Sequence, residues 1–154
     1  MSTSRSMKLA LIATATVAAT IGLATPAYAA GLDYSFHSPT GNIRCEMYTG
    51  DDGNNSQVVC VEDDHTWVAP PRPLACQAND HWGNALILDT PDEAGVVCYQ
   101  GTPPDPALTA PTLNYGQKHS LGTITCDSEP AGVTCTDSST GHFFFDSRES
   151  YQLG

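Results

Sequence analysis

Basic residues are scarce in this chain: 6 Lys and Arg stand against 17 Asp and Glu in 154 residues, a formal net charge of −11. Such a surface repels phosphate backbones and anionic lipid, which argues against nucleic acid as a partner and favours a basic protein. The same charge keeps an exported domain in solution. Signatures of chemistry are missing too. No Cys-x-x-Cys or His-x-x-x-His pair supplies zinc-site spacing, and no Gly-x-Ser-x-Gly elbow presents a serine. His37, His65, His81, His119 and His142 are scattered singly, which suits structural positions better than a general base or a ligand set. No catalytic residue, metal ligand or cofactor is therefore assigned. Helical periodicity is confined to residues 147–153, a stretch too short to hold a helix without packing.

The first thirty residues have the three-part form of a secretory signal. Arg5 and Lys8 give the positive start, residues 9–23 the apolar run, and Ala27-Tyr28-Ala29 the small-x-small cleavage site. The apolar run is interrupted by Thr14, Thr16, Thr20 and Gly22 and falls short of the roughly 20 residues of a comfortable bilayer span. No cysteine follows the site to carry a lipid, and no arginine pair precedes the run. Residues 1–29 are expected to be removed, leaving residues 30–154 as a single secreted β domain without an integral membrane segment. Losing Arg5 and Lys8 moves the net charge from −11 to −13.

All six cysteines lie downstream of that signal. Three are reached through Val-x-Cys, at Cys60, Cys98 and Cys135, and two of their upstream partners, Cys45 and Cys126, are entered through Gly-x-Ile-x-Cys. These phrases read as alternating strands whose inward rows, Ile43/Cys45 and Val58/Cys60, face one core. Fifteen connectivities are open in principle. Turn residues inside each interval favour neighbour pairing, Cys45–Cys60, Cys76–Cys98 and Cys126–Cys135, in an oxidising compartment. Each short-loop bridge contributes on the order of 3 kcal/mol. Strand signals fall at residues 32–36, 42–48, 57–62, 85–88, 96–99, 120–127, 132–136 and 142–146. The expected fold is all-β: a small disulfide-stapled antiparallel β-sandwich or barrel with little helix. Proline-rich residues 68–73 and 101–111 read as irregular connectors.

A string of phrases in order resembles a known group: Phe36-His37-Ser38-Pro39-Thr40-Gly41-Asn42-Ile43-Arg44-Cys45, Trp67 with Pro70-Pro71-Arg72-Pro73, Trp82-Gly83, Leu113-Asn114-Tyr115-Gly116, Gly132-Val133-Thr134-Cys135, and Gly141-His142 with Ser147-Arg148. Together they are similar to an uncharacterised family of exported actinobacterial (mycobacterial-type) six-cysteine proteins labelled only as a domain of unknown function. The resemblance implies secretion, an actinobacterial envelope or culture fluid, and the cysteine framework; it implies no activity. Phe143 follows His142 where the family phrase has glycine.

Candidate binding residues are Trp67 and Trp82, which sit beside prolines and glycine rather than within apolar alternation, together with His142 and Arg148. A tryptophan so placed stacks on a sugar or anchors a partner, or else plugs the end of a barrel. The acidic runs Asp51-Asp52-Gly53-Asn54-Asn55 and Glu62-Asp63-Asp64-His65 lack the spacing of a calcium loop and read as solvated turns. Of Phe143, Phe144 and Phe145, at least one must face away from the core. The reading that follows is a non-catalytic extracellular or cell-envelope binding module, with cell-wall material or a basic protein as partner. Alternatives are an inhibitor-like protein bound to a basic enzyme such as a lysozyme, and a secreted hydrolase assembled from distant strands.

Overall fold

Alternation of side chains builds the first sheet. Ile43, Cys45, Met47 and Thr49 point inward while Arg44, Glu46 and Tyr48 point out. This computed structural model describes residues 32–50, 55–99 and 110–154. The expected signal segment, the acidic run at residues 51–54 and most of the second proline-rich stretch lie outside the described residues. Within them run β1 (Leu32–His37), β2 (Ile43–Thr49), β3 (Ser56–Glu62), β4 (Ala85–Asp89), β5 (Gly95–Val96), β6 (Lys118–Leu121), β7 (Ile124–Glu129), β8 (Gly132–Asp137), β9 (Phe143–Asp146) and β10 (Tyr151–Leu153). They form two antiparallel meanders, β1-β2-β3-β4-β5 and β6-β7-β8-β9-β10. One core joins the sheets, with Phe36, Met47 and Leu86 from the first packed with Ile124, Val133 and Phe144 from the second. The sheets are open, so the architecture is a sandwich and not a closed barrel.

The sequence phrases correspond to a structural repeat. Cys45 lies directly opposite Cys60 across β2 and β3, and Cys126 lies opposite Cys135 across β7 and β8. Disulfides join both pairs, with Cα separations of 4.1 and 4.0 Å, the close approach of a non-hydrogen-bonded antiparallel pair. A third disulfide, Cys76–Cys98, ties the long β3–β4 connection to the chain after β5. Aligned on the cysteines, Ile43 opposite Glu62 corresponds to Ile124 opposite Asp137, and Val58 opposite Leu88 corresponds to Val133 opposite Asp146.

Two expectations are corrected. Residues 120–127 do not form one strand, because Gly122, at φ 57°, turns the chain between β6 and β7. Residues 147–153 are not helical: Ser147 and Ser150 exchange backbone hydrogen bonds to close a turn, and β10 pairs with β9. A seven-residue helical pattern yields to a ladder whose donors are already in place. Of the three phenylalanines, Phe144 is buried in the core while Phe143 and Phe145 are half-buried on the other face.

Candidate functional site

Because both sheets are meanders, alternate turns fall at alternate ends of the sandwich. At the far end, Asp137 is buried. Its carboxylate accepts from Ser139 N (2.9 Å), Thr140 Oγ1 (2.9 Å) and, across the sheets, Thr90 Oγ1 (3.1 Å). Burial alone raises such a group, but these donors outweigh it and hold Asp137 at about 2. It is a saturated structural carboxylate. His142 closes the β8–β9 turn at this end, its backbone N–H donating to Thr140 Oγ1 at 3.1 Å.

The near end gathers the β1–β2 turn, the β3–β4 connection, and the β7–β8 and β9–β10 turns. Here Glu62, the counterpart of Asp137, is fully buried at 0% exposure, and opposite it on the other sheet stands Asp146 at 1%. The counterpart of Asp146 at the far end is Leu88, so the second acid is where the repeat breaks. Trp67 Nε1 donates to Glu62 Oε2 at 2.8 Å and Asn42 Nδ2 to Oε1 at 2.9 Å. Among the described residues neither oxygen of Asp146 has a hydrogen-bond donor. Burial, then the charge of Glu62, push Asp146 up to about 8. Glu62 is also raised by burial, and Trp67 and His65 pull it back. The pair therefore shares one proton, which Asp146 keeps and donates to the Glu62 carboxylate.

Trp67 is 8% exposed, the buried one of the two alternatives for a tryptophan so placed. Its ring lies between His65, stacked at 4.0 Å, and Tyr151, edge-on at 4.7 Å, so it braces the near end from within. Thr66 N donates to Arg148 O at 2.8 Å, joining this connection to the β9–β10 turn. The Arg148 guanidinium pairs with Asp64 at 2.9 Å. Trp67 and Arg148 thus come together, whereas His142 is at the opposite end. Trp82 is half-buried and donates through Nε1 to Pro70 O at 3.0 Å, fastening the proline connector.

Beside the acid pair opens a cavity of about 360 Å³, lined by Ser38, Thr40, Asn42 and Asp64 from one sheet and by Glu129, Ser147, Arg148 and Glu149 from the other. Tyr115, 45% exposed, stands at its wall. Asn42 belongs to both features, lining the cavity while holding Glu62. Three carboxylates against one guanidinium make the cavity acidic, and hydroxyls, an amide and an aromatic ring complete a surface for a polar ligand. The acid pair itself is sealed beneath it. Its two carboxyls are buried together, and that burial raises the affinity of each for a proton. A separate grouping, Cys76, Asp80 and Cys98, has its sulfurs joined in the disulfide, leaving no thiolate for a metal.

The alternation rule carried a signal for one member of the acid pair: Glu62, like Asp137 at the far end, follows a core cysteine by two residues and so falls on the inward row. Asp146 had none, because its partner is 84 residues away in the other sheet.

No curated protein and no solved structure matches the chain. Residues 16–153, nearly its whole length, match a family whose description is Family of unknown function (DUF6636), and the chain belongs to that family.

Proposed function

We propose that the protein is an exported, non-catalytic binding module of the extracellular space or cell envelope, whose near-end cavity takes a polar, amine-bearing ligand such as cell-wall material presents. The observation that carries this is the acidic cavity with Arg148 and Tyr115 in its lining, framed by turns of both sheets. Three disulfides, the signal-like segment ahead of the first strand, and the absence of a long apolar helix among the described residues support export. On this reading cleavage follows Ala29 and residues 30–154 act as one soluble unit.

The test is co-sedimentation of the oxidised protein with purified cell wall across a salt series, beside Tyr115→Ala and Arg148→Ala. Both side chains are exposed, so neither change disturbs the core. Retention should fall about tenfold in each variant. Absence of retention by the unaltered protein rejects the reading.

A specific observation favours the inhibitor-like alternative. In the proline connector Val68 is 86% and Leu74 105% exposed, on a segment braced by the Cys76–Cys98 disulfide and by Trp82. A rigid loop offering apolar side chains loses little entropy on docking into an enzyme. That reading expects a salt-sensitive complex with a basic enzyme, and one that Leu74→Ala weakens.

A further inference from the structure

The repeat supplies an internal control for the outer faces of the two sheets. On β6 and β7 the outward residues satisfy one another: Lys118 lies opposite Asp127 and forms an ion pair with it, and Ser120 lies opposite Thr125 with their hydroxyls 2.7 Å apart. The matching positions on β1 and β2 are Ser35 opposite Glu46 and His37 opposite Arg44. Arg44 forms an ion pair with Asp63, and Glu46 has no ion pair among the described residues. Asp33, next outward on β1, adds a second acid, Tyr48 follows Glu46 on β2, and Gln57 lies opposite Tyr48 on β3. The side chains of Asp33, Ser35, Glu46, Tyr48 and Gln57 make no hydrogen bond or ion pair among the described residues. They line a depression of about 450 Å³ together with Val59. Partial burial, then the charge of Asp33, raise the carboxyl of the outward-facing Glu46.

We propose that this half of the outer face is a saccharide-binding platform, distinct from the near-end cavity. Tyr48, 48% exposed, offers a ring face to the apolar side of a pyranose. Asp33 and Glu46 accept from sugar hydroxyls or an ammonium, Gln57 both donates and accepts, and Ser35 reaches an adjacent hydroxyl. The volume lies in the range of small-ligand sites. With two carboxylates and no basic side chain in its lining, the platform takes neutral or amine-bearing glycans and rejects uronate or phosphate polymers.

The test titrates the oxidised protein with a neutral N-acetylglucosamine tetramer, its deacetylated amine form and a galacturonate tetramer, reading affinity by calorimetry and the contact face by amide NMR shifts. The neutral and amine tetramers should bind and shift the amides of β1, β2 and β3, and the galacturonate should not bind. Tyr48→Ala should weaken both ligands about tenfold, and Glu46→Gln should weaken the amine form more than the neutral one. Both residues face outward, and an unchanged melting temperature verifies the fold; Gln57→Ala is the second variant should Tyr48→Ala not fold. No binding of either tetramer at about 10 mM overturns the proposal, as do shifts confined to Tyr115 and Arg148, which would assign the glycan to the near-end cavity instead.

Discussion

Asp146 keeps a proton at a pH where an ordinary carboxyl has lost it, because it is buried without a fixed donor and faces the Glu62 carboxylate. Asp137, in the equivalent half of the other end, shows the opposite solution, with hydroxyl and amide donors on its oxygens. The difference has a thermodynamic consequence. The folded value of Asp146, about 8, lies above its ordinary 3.8, so the folded state holds the extra proton. Its contribution is complete below about pH 4 and is lost as pH climbs toward 8. Comparing the protein with Asp146→Asn isolates that group, since His119, lowered by burial, changes stability in the opposite direction in both. Urea midpoints between pH 5 and 8 should show the unaltered protein losing ground to the variant by up to about 1.4 kcal/mol per pH unit. A difference that does not change with pH removes the shared proton. Glu62 was legible in the sequence only as one member of an acidic run. Its phase with Cys60, two residues earlier on the same strand, was the stronger cue, and it separates Glu62 from the solvent-facing Asp63.

At the scale of elements, four of the six inner strands were readable because a cysteine and a branched residue mark each inward row: Ile43 and Cys45, Val58 and Cys60, Ile124 and Cys126, Val133 and Cys135. The edges were not. β6 and β10 bury little, so their residues carry no clear alternation and their existence depends on the neighbouring ladder. The β6–β7 turn was hidden inside a run that reads as continuous strand. Gly122 makes it, and a Cβ there would run into Ser56 Oγ, the atom that accepts from Thr123 N at 3.0 Å and ties the two sheets. Gly122→Ala therefore combines left-handed strain with a collision and should cost about 1–3 kcal/mol. Gly141, also left-handed at φ 83°, meets nothing within 4 Å, so Gly141→Ala should cost less. Equal melting temperatures for the two variants would remove the Ser56 contact from the account.

At the scale of the whole molecule, the near-end cavity was invisible in the sequence because its lining comes from the β1–β2, β7–β8 and β9–β10 turns, the β3–β4 connection and Tyr115, segments that reach from Ser38 to Glu149. Stacking two copies of a strand pattern end to end in opposite senses brings those turns together, and each end is then free to diverge. The far end is tied by Thr90 to Asp137 and by Thr123 to Ser56; the near end is tied by Asp146 to Glu62 and by Thr66 to Arg148. Between them, core residues of either sheet have their partners in the other. Neither meander then keeps a dry face when its partner melts, and the disulfides that staple each hairpin do not replace that face. With its disulfides intact, the protein should unfold in one calorimetric transition whose enthalpy equals its van't Hoff value. Two resolved transitions would show that each meander is stable by itself, and would turn the near-end cavity from a feature of one body into a gap between two.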